Sequence, residues 1–411
     1  MSAGAAAGRG PTTRPPTTWF ATCARGIEEV LADELRALGA SDLTVERAGC
    51  RFSGPVALAW RACLWLRTAS RVLRPIADFD ASDAEALYAG AREVPWEEHL
   101  GTDARHTFAV SCAGRGSPIA HTHFAALKVK DAIADRLRAR YGRRPDVDAR
   151  DPDVAVFLRL HRTRATLHLD LAGESLHRRG YRPPGAEAPL KETLAAACVA
   201  LSGWDGRAPL LDPMCGTGTL VLEAALRAAG VAPGLRRAEA GRFGFQRWPG
   251  YEAAAFAPLL QEARAAVRAL GASAGAGHAA TAPWPWIEGS DHDARALAQA
   301  RAGAAAAGPA ITVRWTERAL DDVAPPPAGE GAGPGVLLTN PPYGARQGDT
   351  ESLRPLYRRL GDVLKQRFAG WTAFVLTGNV ALAKEVGLRP SRRIPLFNGA
   401  LECRLLRFDL Y

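Results

Sequence analysis

Long apolar runs are missing from this 411-residue chain. No stretch approaches the 18 consecutive apolar residues that a helix needs to cross a bilayer. The opening Met1 to Thr18, rich in Ala, Gly, Pro and Thr, lacks the leucine-type core of a secretory signal, and residues 1–17 read as a disordered tail. The seven cysteines contain no CxxC pair and no ordered spacing, which argues against a zinc site and against a secreted disulfide framework. No metal is expected, and a reducing, cytoplasmic compartment is the simplest reading. Acid is in deficit, 43 Asp+Glu against 52 Lys+Arg, a formal charge of +9 that favours a polyanionic partner without naming one. The length is too great for one ordinary core and predicts two or three domains.

What the chain does have is Asn340-Pro341-Pro342-Tyr343, placed directly after the apolar run Val336, Leu337, Leu338, Thr339. Two adjacent prolines at a strand end are structurally costly and point to chemistry. Each proline fixes φ and lacks an N–H, and the residue before a proline is pushed to extended geometry. The Asn340 side chain and the Pro341 carbonyl are therefore held as rigid acceptors. Two fixed acceptors suit an exocyclic NH₂ of guanine, cytosine or adenine, whose lone pair is delocalised into the ring. Accepting both hydrogens aims the nitrogen at an electrophile, while Tyr343 offers a face for stacking a flipped base.

The site for that electrophile is expected upstream, in Leu211-Asp212-Pro213-Met214-Cys215-Gly216-Thr217-Gly218-Thr219. This follows the short apolar run Pro209, Leu210, Leu211 and leads into the helical pattern Leu220, Val221, Glu223, Ala224, Leu226. Strand, glycine turn and helix in that order place a ligand-binding turn at the carboxyl end of a parallel strand. The spacing is not the phosphate-cradling GxxxxGK[ST] and no lysine follows, so a nucleoside triphosphate is disfavoured.

Asp212 to Thr219, Gly289-Ser290-Asp291-His292-Asp293-Ala294-Arg295 and Thr339 to Arg346 together resemble class I S-adenosylmethionine-dependent RNA guanine-N2 methyltransferases that carry a THUMP domain. Phe20 to Glu28, Gly173 to Arg182 and Ala188 to Leu194 extend the resemblance to the large-subunit (23S) ribosomal RNA methyltransferases of the L type, over nearly the whole chain after residue 17. The resemblance implies an α/β fold: a Rossmann-like class I methyltransferase domain with a seven-stranded sheet, preceded by α+β ferredoxin-like and THUMP domains. It implies S-adenosyl-L-methionine as cofactor and RNA as partner, either 23S rRNA or a large-subunit assembly intermediate. No membrane and no obligate protein partner are expected. In several proteobacteria such enzymes are fused to a second methyltransferase domain. Ending at Tyr411, this chain is expected to be the single-activity form.

The expected organisation is a ferredoxin-like segment over 18–65, THUMP over 66–172, a connector over 173–186 and the methyltransferase domain over 187–411. Trp19 to Thr22 reads as a strand and Gly26 to Leu38 as an amphipathic helix closed by Gly39. Strands are expected at Arg71 to Pro75, Thr107 to Cys112, Val154 to Arg159 and Ala165 to Leu171, with helices at Asp83 to Ala89 and His123 to Arg140. From about Glu187 strands alternate with helices, the pattern of a doubly wound sheet. Candidate strands are Pro209 to Asp212, Trp286 to Asp291, Ile311 to Glu317, Gly335 to Asn340, Thr372 to Gly378, Arg392 to Phe397 and Leu401 to Leu410, the last two joined at Asn398-Gly399. Ala253 to Ala282, partly helical, and Ala324 to Gly335 read as loop-like insertions.

Asn340, Pro341 and Tyr343 are the candidate catalytic residues, and Asp212, Gly216, Gly218, Asp291, Glu317 and Asn340 the candidate cofactor contacts. A carboxylate at Asp291 can accept from both ribose hydroxyls; alternatively it caps a helix over His292 to Ala306, with Asp293 as a first-turn carboxylate. Glu317 stands where the resemblance implies an aspartate near the adenine amine. Asp212 and the glycines should face the methionine moiety, unless Asp212 caps the turn. Cys215 is read as packing rather than as the nucleophile of carbon-5 pyrimidine methylation. Arg136, Arg138, Arg140, Arg143 and Arg144, with no acid among them, and Arg178, Arg179 and Arg182 beside His177, are candidate RNA-phosphate contacts; the other reading is a solvated helix end and a solvated linker. Rival functions are DNA adenine-N6, protein glutamine-N5 or tRNA guanine-N2 methylation, and a non-catalytic RNA-binding ribosome-assembly factor.

Overall fold

A computed structural model describes residues 17–182, 190–267, 284–327, 333–344 and 349–411. Seven strands of the N-terminal half form one sheet: β1 (Thr17–Thr22), β2 (Ser41–Glu46), β3 (Gly49–Gly54), β4 (Arg71–Asp80), β5 (Phe108–Arg115), β6 (Val154–His161) and β7 (Arg164–Asp170), in the order β2-β3-β1-β4-β7-β6-β5. β4 is twice the length read from sequence, because it serves two partners. Its first residues pair with β1, Leu73 opposite Phe20, and the strand then runs antiparallel to β7 as far as Asp80 opposite Arg164. The two N-terminal modules are thus one continuous hydrogen-bonded surface. β2, β3 and the helix Val56–Trp65 lie in the stretch between residues 41 and 65 from which no element was read.

The second sheet contains β8 (Leu210–Asp212), β9 (Ile287–Asp291), β10 (Arg314–Glu317), β11 (Val336–Thr339), β12 (Thr372–Thr377), β13 (Arg392–Asn398) and β14 (Leu401–Asp409), in the order β10-β9-β8-β11-β12-β14-β13. The first five are parallel, and β14 and β13 close the sheet as an antiparallel hairpin whose turn residue Gly399 has φ +66°. Chain order runs outward from β8 in one direction and from β11 in the other. The switch point therefore lies between them, where open α/β sheets form a crevice beyond the carboxyl ends. Val336 pairs with Leu210 and Leu337 with Leu211, so the chain leaves β8 after Asp212 and β11 after Thr339 at the same edge. Register alone thus brings the two motifs together.

Packing divides the molecule differently from the sheets. Ile27, Leu31, Leu35 and Phe52 of the N-terminal segment belong to one apolar core with Leu194, Cys198, Leu396 and Leu405 of the second half. Leu87, Trp96, Val129, Ile133, Val156 and Leu167 form a core of their own. The first module is welded to the nucleotide-fold domain, and the Arg25 guanidinium sits 3.9 Å from the Phe397 ring centre on β13. A buried polar junction completes the weld. Glu34 accepts from the Thr68 hydroxyl (2.7 Å) and N–H (3.1 Å), and Arg67 donates to the Val231 carbonyl (2.7 Å). Burial pushes the Glu34 carboxyl up and the Arg67 guanidinium down to about 10.

Candidate functional site

The turn after β8 is built by two glycines with opposite requirements. Gly218 has φ +77°, and a Cβ there would stand 2.5 Å from the Trp315 ring. It is needed for packing. Gly216 has φ +53°, and a Cβ there would meet nothing within 4 Å, so its bare face looks into open space. The turn is anchored to β9, with Cys215 N–H donating to Ser290 O (3.0 Å) and Gly216 N–H to Asp291 Oδ2 (2.8 Å). Asp291 Oδ1 accepts from Asp293 N–H (3.0 Å), and Asp293, not Asp291, caps the helix Ala294–Ala307 through Arg295 N–H (2.8 Å). The helix starts two residues later than the sequence pattern indicated, which frees Asp291 to face the crevice. Cys215 is buried against Gly289, and burial raises its thiol far above the ordinary range, so it is not an available thiolate.

The crevice has two lobes, of about 650 and 550 Å³, within the size range of small-molecule sites. Asp291, Arg318, Asp321, Pro341 and Tyr343 line the larger one and Leu190, Asp212, Thr217, Thr219 and Gln299 the smaller. Met214, Gly216 and Asn340 belong to both. Asn340 Oδ1 is buried on this shared wall and has no hydrogen-bond partner among the described residues. Leaving a buried acceptor unmet costs roughly 1–3 kcal/mol, which a ligand N–H would recover. The adjacent Pro341 is itself buried and lines the larger lobe.

Tyr343 is held by residues that the motif does not contain. Its ring lies against Gly378, where a Cβ would come within 3.3 Å of two ring carbons. Asn379 donates to its carbonyl (3.4 Å) and to Thr350 Oγ1 (3.1 Å), and the Asn398 side chain bonds its hydroxyl. Burial raises the Tyr343 phenol, which keeps it neutral at physiological pH. Gly378 and Asn379 directly follow β12, and nothing local in the sequence ties either to Tyr343.

Asp212 accepts from Met214 N–H (3.2 Å), so it does cap its turn, and it also lines the smaller lobe. Burial, with the Asp291 charge adding to it, pushes its carboxyl from 3.8 up to about 7. The folded state then holds this proton more tightly than the unfolded chain. The group's stabilisation is complete below about pH 4 and is lost as pH rises through about 7.

Two candidate contacts fall elsewhere. Glu317 ends β10 exposed and outside the crevice lining, which is supplied by the following Arg318 to Asp321. Arg179 is not a surface cation: its side chain is 3% exposed and donates to Leu176 O (2.8 Å), to Arg67 O and to Glu223 (3.5 Å). Burial removes it from RNA. Arg136 makes a two-point bond with Glu97 (3.0 and 3.1 Å), whose carboxyl that contact holds down to about 2, and Arg140 joins the same carboxylate (2.6 Å). Arg138 lies 3.8 Å from Asp135, Arg178 pairs with Glu174, and Arg182 bonds Leu190 O (3.1 Å) and Glu192 (3.2 Å). Arg143 and Arg144 are exposed with no ion pair among the described residues. The acid missing from the arginine run is supplied across space by a neighbouring helix.

Among the described residues no group of three His, Cys, Asp or Glu side chains is placed to hold a metal, and no helix is long and apolar enough to cross a membrane. Comparison with known families matches residues 179–407 to the RMKL-like methyltransferase domain, more than half of the chain. The chain belongs to the RMKL-like methyltransferase family. Its N-terminal half matches the RlmL ferredoxin-like domain over residues 18–73 and the THUMP domain over residues 81–170. A ribosomal RNA large subunit methyltransferase K/L of Syntrophotalea carbinolica is 48% identical over 400 residues, covering 96% of this chain and 54% of the relative. The chain spans about half the length of the K/L relatives it matches. A Synechocystis sp. protein provisionally named an RNA methyltransferase is 43% identical over 97% of this chain and 98% of its own. A crystal structure of a provisionally assigned methyltransferase complexed with SAH matches with TM-score 0.80 and 29% identity, covering 97% of this chain and 99% of that one.

Proposed function

We propose that this RMKL-like family member is an S-adenosylmethionine-dependent enzyme that methylates the exocyclic N2 of a guanine in large-subunit ribosomal RNA. The observation that carries this reading is the buried Oδ1 of Asn340, without a partner among the described residues and fixed by a diproline corner on the wall common to both lobes. An amine with two hydrogens is the group this corner is built to accept. The names of the K/L relatives supply the RNA class, and the THUMP match supports an RNA partner.

When bound, S-adenosylmethionine supplies an electrophilic methyl group on a sulfonium, so the chain's task is orientation. The bare face of Gly216 and the carboxylates of Asp212 and Asp291 fit such a group: one gives close backbone approach, and the others complement cationic and hydroxyl portions. Asn340 Oδ1 and the Pro341 carbonyl hold the two N2 hydrogens of a flipped guanine, and Tyr343, braced from behind by Gly378, stacks on it. Arg143 and Arg144 remain available for backbone phosphates.

Product analysis tests this directly. Offered free 23S RNA, assembled large subunits and tRNA side by side, the protein is expected to methylate the ribosomal RNA, and nuclease digestion with mass spectrometry to yield N2-methylguanosine. Another methylated nucleoside, or transfer confined to tRNA, refutes the assignment. The raised Asp212 carboxyl gives a second test. A cationic donor favours its ionised form, so binding at pH 7 should release a proton, and the calorimetric enthalpy should differ between phosphate and Tris buffers. Asp212→Asn should abolish the difference; equal enthalpies for the unsubstituted protein would show that Asp212 does not titrate on binding.

A further inference from the structure

A second, smaller recess of about 270 Å³ lies between the helix Val380–Glu385 and strands β12 to β14. Its floor is apolar, from Val380, Leu388 and Leu406, and Lys384, Arg389, Arg393 and Arg404 all line it. Thr377 opposite Arg404 and Arg393 opposite Leu406 place these residues on one face of the sheet. The four cations meet little opposing charge. Arg404 lies a loose 3.9 Å from Glu402, and no ion pair is formed by Lys384, Arg389 or Arg393 among the described residues. The nearest acid in sequence, Glu385, is occupied by Arg354 and Arg358 on the other side of its helix. Val380 is 48% exposed, a large apolar side chain left open to water beside this charge.

The recess adjoins the candidate active site through one short segment. Thr377 lines it, Gly378 packs on Tyr343, and Asn379 bonds the Tyr343 carbonyl while capping the helix that carries Val380 and Lys384. The segment Thr377 to Val380 thus joins the seat of Tyr343 to an apolar floor with a basic rim.

We propose that this recess is a second nucleotide subsite, which takes a base of the RNA strand flanking the flipped guanine on its apolar floor and that nucleotide's phosphates on Lys384, Arg389, Arg393 and Arg404. It rests on the RNA-methylation reading and deepens it. The subsite lies on the nucleotide-fold domain itself, so the strand is gripped beside the reaction as well as by the N-terminal modules. An apolar floor under a cationic rim suits a nucleotide, which offers a stacking face and a phosphate together.

The test measures binding of a protein-free 23S RNA transcript to the full chain, without methyl transfer. Arg389→Ala/Arg393→Ala is expected to weaken RNA affinity about tenfold at moderate salt and to lower the slope of log Kd against log salt by about two. Arg389→Lys/Arg393→Lys should recover most of both, since a phosphate accepts either cation. Retained SAH binding by the Ala variant shows that the domain is folded. Unchanged RNA affinity and salt slope in a variant that binds SAH overturns the subsite. Failure of the unsubstituted protein to methylate RNA would instead overturn the parent reading, and the binding measurement stands apart from it.

Discussion

Replacing Asn340 by alanine is expected to lower turnover about a hundredfold while donor affinity changes by less than about twofold. A hundredfold corresponds to about 2.7 kcal/mol, the scale of one oriented hydrogen bond that matters mainly at the transition state. The geometry supports a loss of this kind. Asn340 Oδ1 is buried and has no partner among the described residues, so its removal from the free protein breaks no bond to them and, by itself, should not unfold the corner. The backbone there is set by Pro341 and Pro342, which the substitution leaves in place. The measurement is single-turnover kinetics at saturating RNA beside a titration with SAH. If SAH binding weakens as much as turnover does, Asn340 holds the donor and does not aim the acceptor nitrogen. Asn340→Asp keeps an acceptor oxygen and should retain more activity than the alanine variant.

Arg179→Met is expected to be strongly destabilising and to act far from any ligand. Its guanidinium lies in the junction where Arg67 and Thr68, the connector, the helix Glu28–Ala37 and the helix Thr219–Ala228 converge. Among the described residues, removing it leaves Glu223 with only the Tyr181 hydroxyl (3.0 Å), and Glu223 Oε2 already has no partner there. Breaking a buried pair by deleting one member costs about 3–5 kcal/mol, which lowers the melting temperature by about 3–6 °C in a chain of this size. Arg179→Met/Glu223→Met should be more stable than the single variant, because no uncompensated charge is left behind. Arg178→Met, at the exposed neighbour, should change stability by less than about 0.5 kcal/mol. A melting temperature unchanged in Arg179→Met, together with weakened RNA binding, would return Arg179 to the surface role read from sequence.

That reversal shows where sequence reasoning stopped. Arg178 and Arg179 are adjacent and chemically identical, and only the path of the connector past Arg67 and Leu176 buries one and exposes the other. The arginine run fails similarly: within it there is no acid, yet Glu97 from another helix neutralises part of it. Glu317 was placed by analogy of position, and the strand ends with its side chain turned to solvent. The β2 and β3 hairpin carries little sequence signal, because β2 is mostly exposed and its apolar alternation is confined to Leu43 and Val45.

Local chemistry by itself determined the two loops that matter. A diproline after an apolar strand and a glycine turn before a helix are dictated by φ restrictions and N–H inventory, and these act within a few residues. The alternation of strands and helices determined the doubly wound class in the same way. Only the tertiary structure decided that Asn340 stands on the common wall of two lobes, that Gly378 and Asn398 seat Tyr343, and that the ferredoxin-like segment shares its core with the nucleotide-fold domain. Those facts depend on strand register and burial between residues far apart in the chain, and a side chain's partners across space leave no mark on its neighbours in sequence.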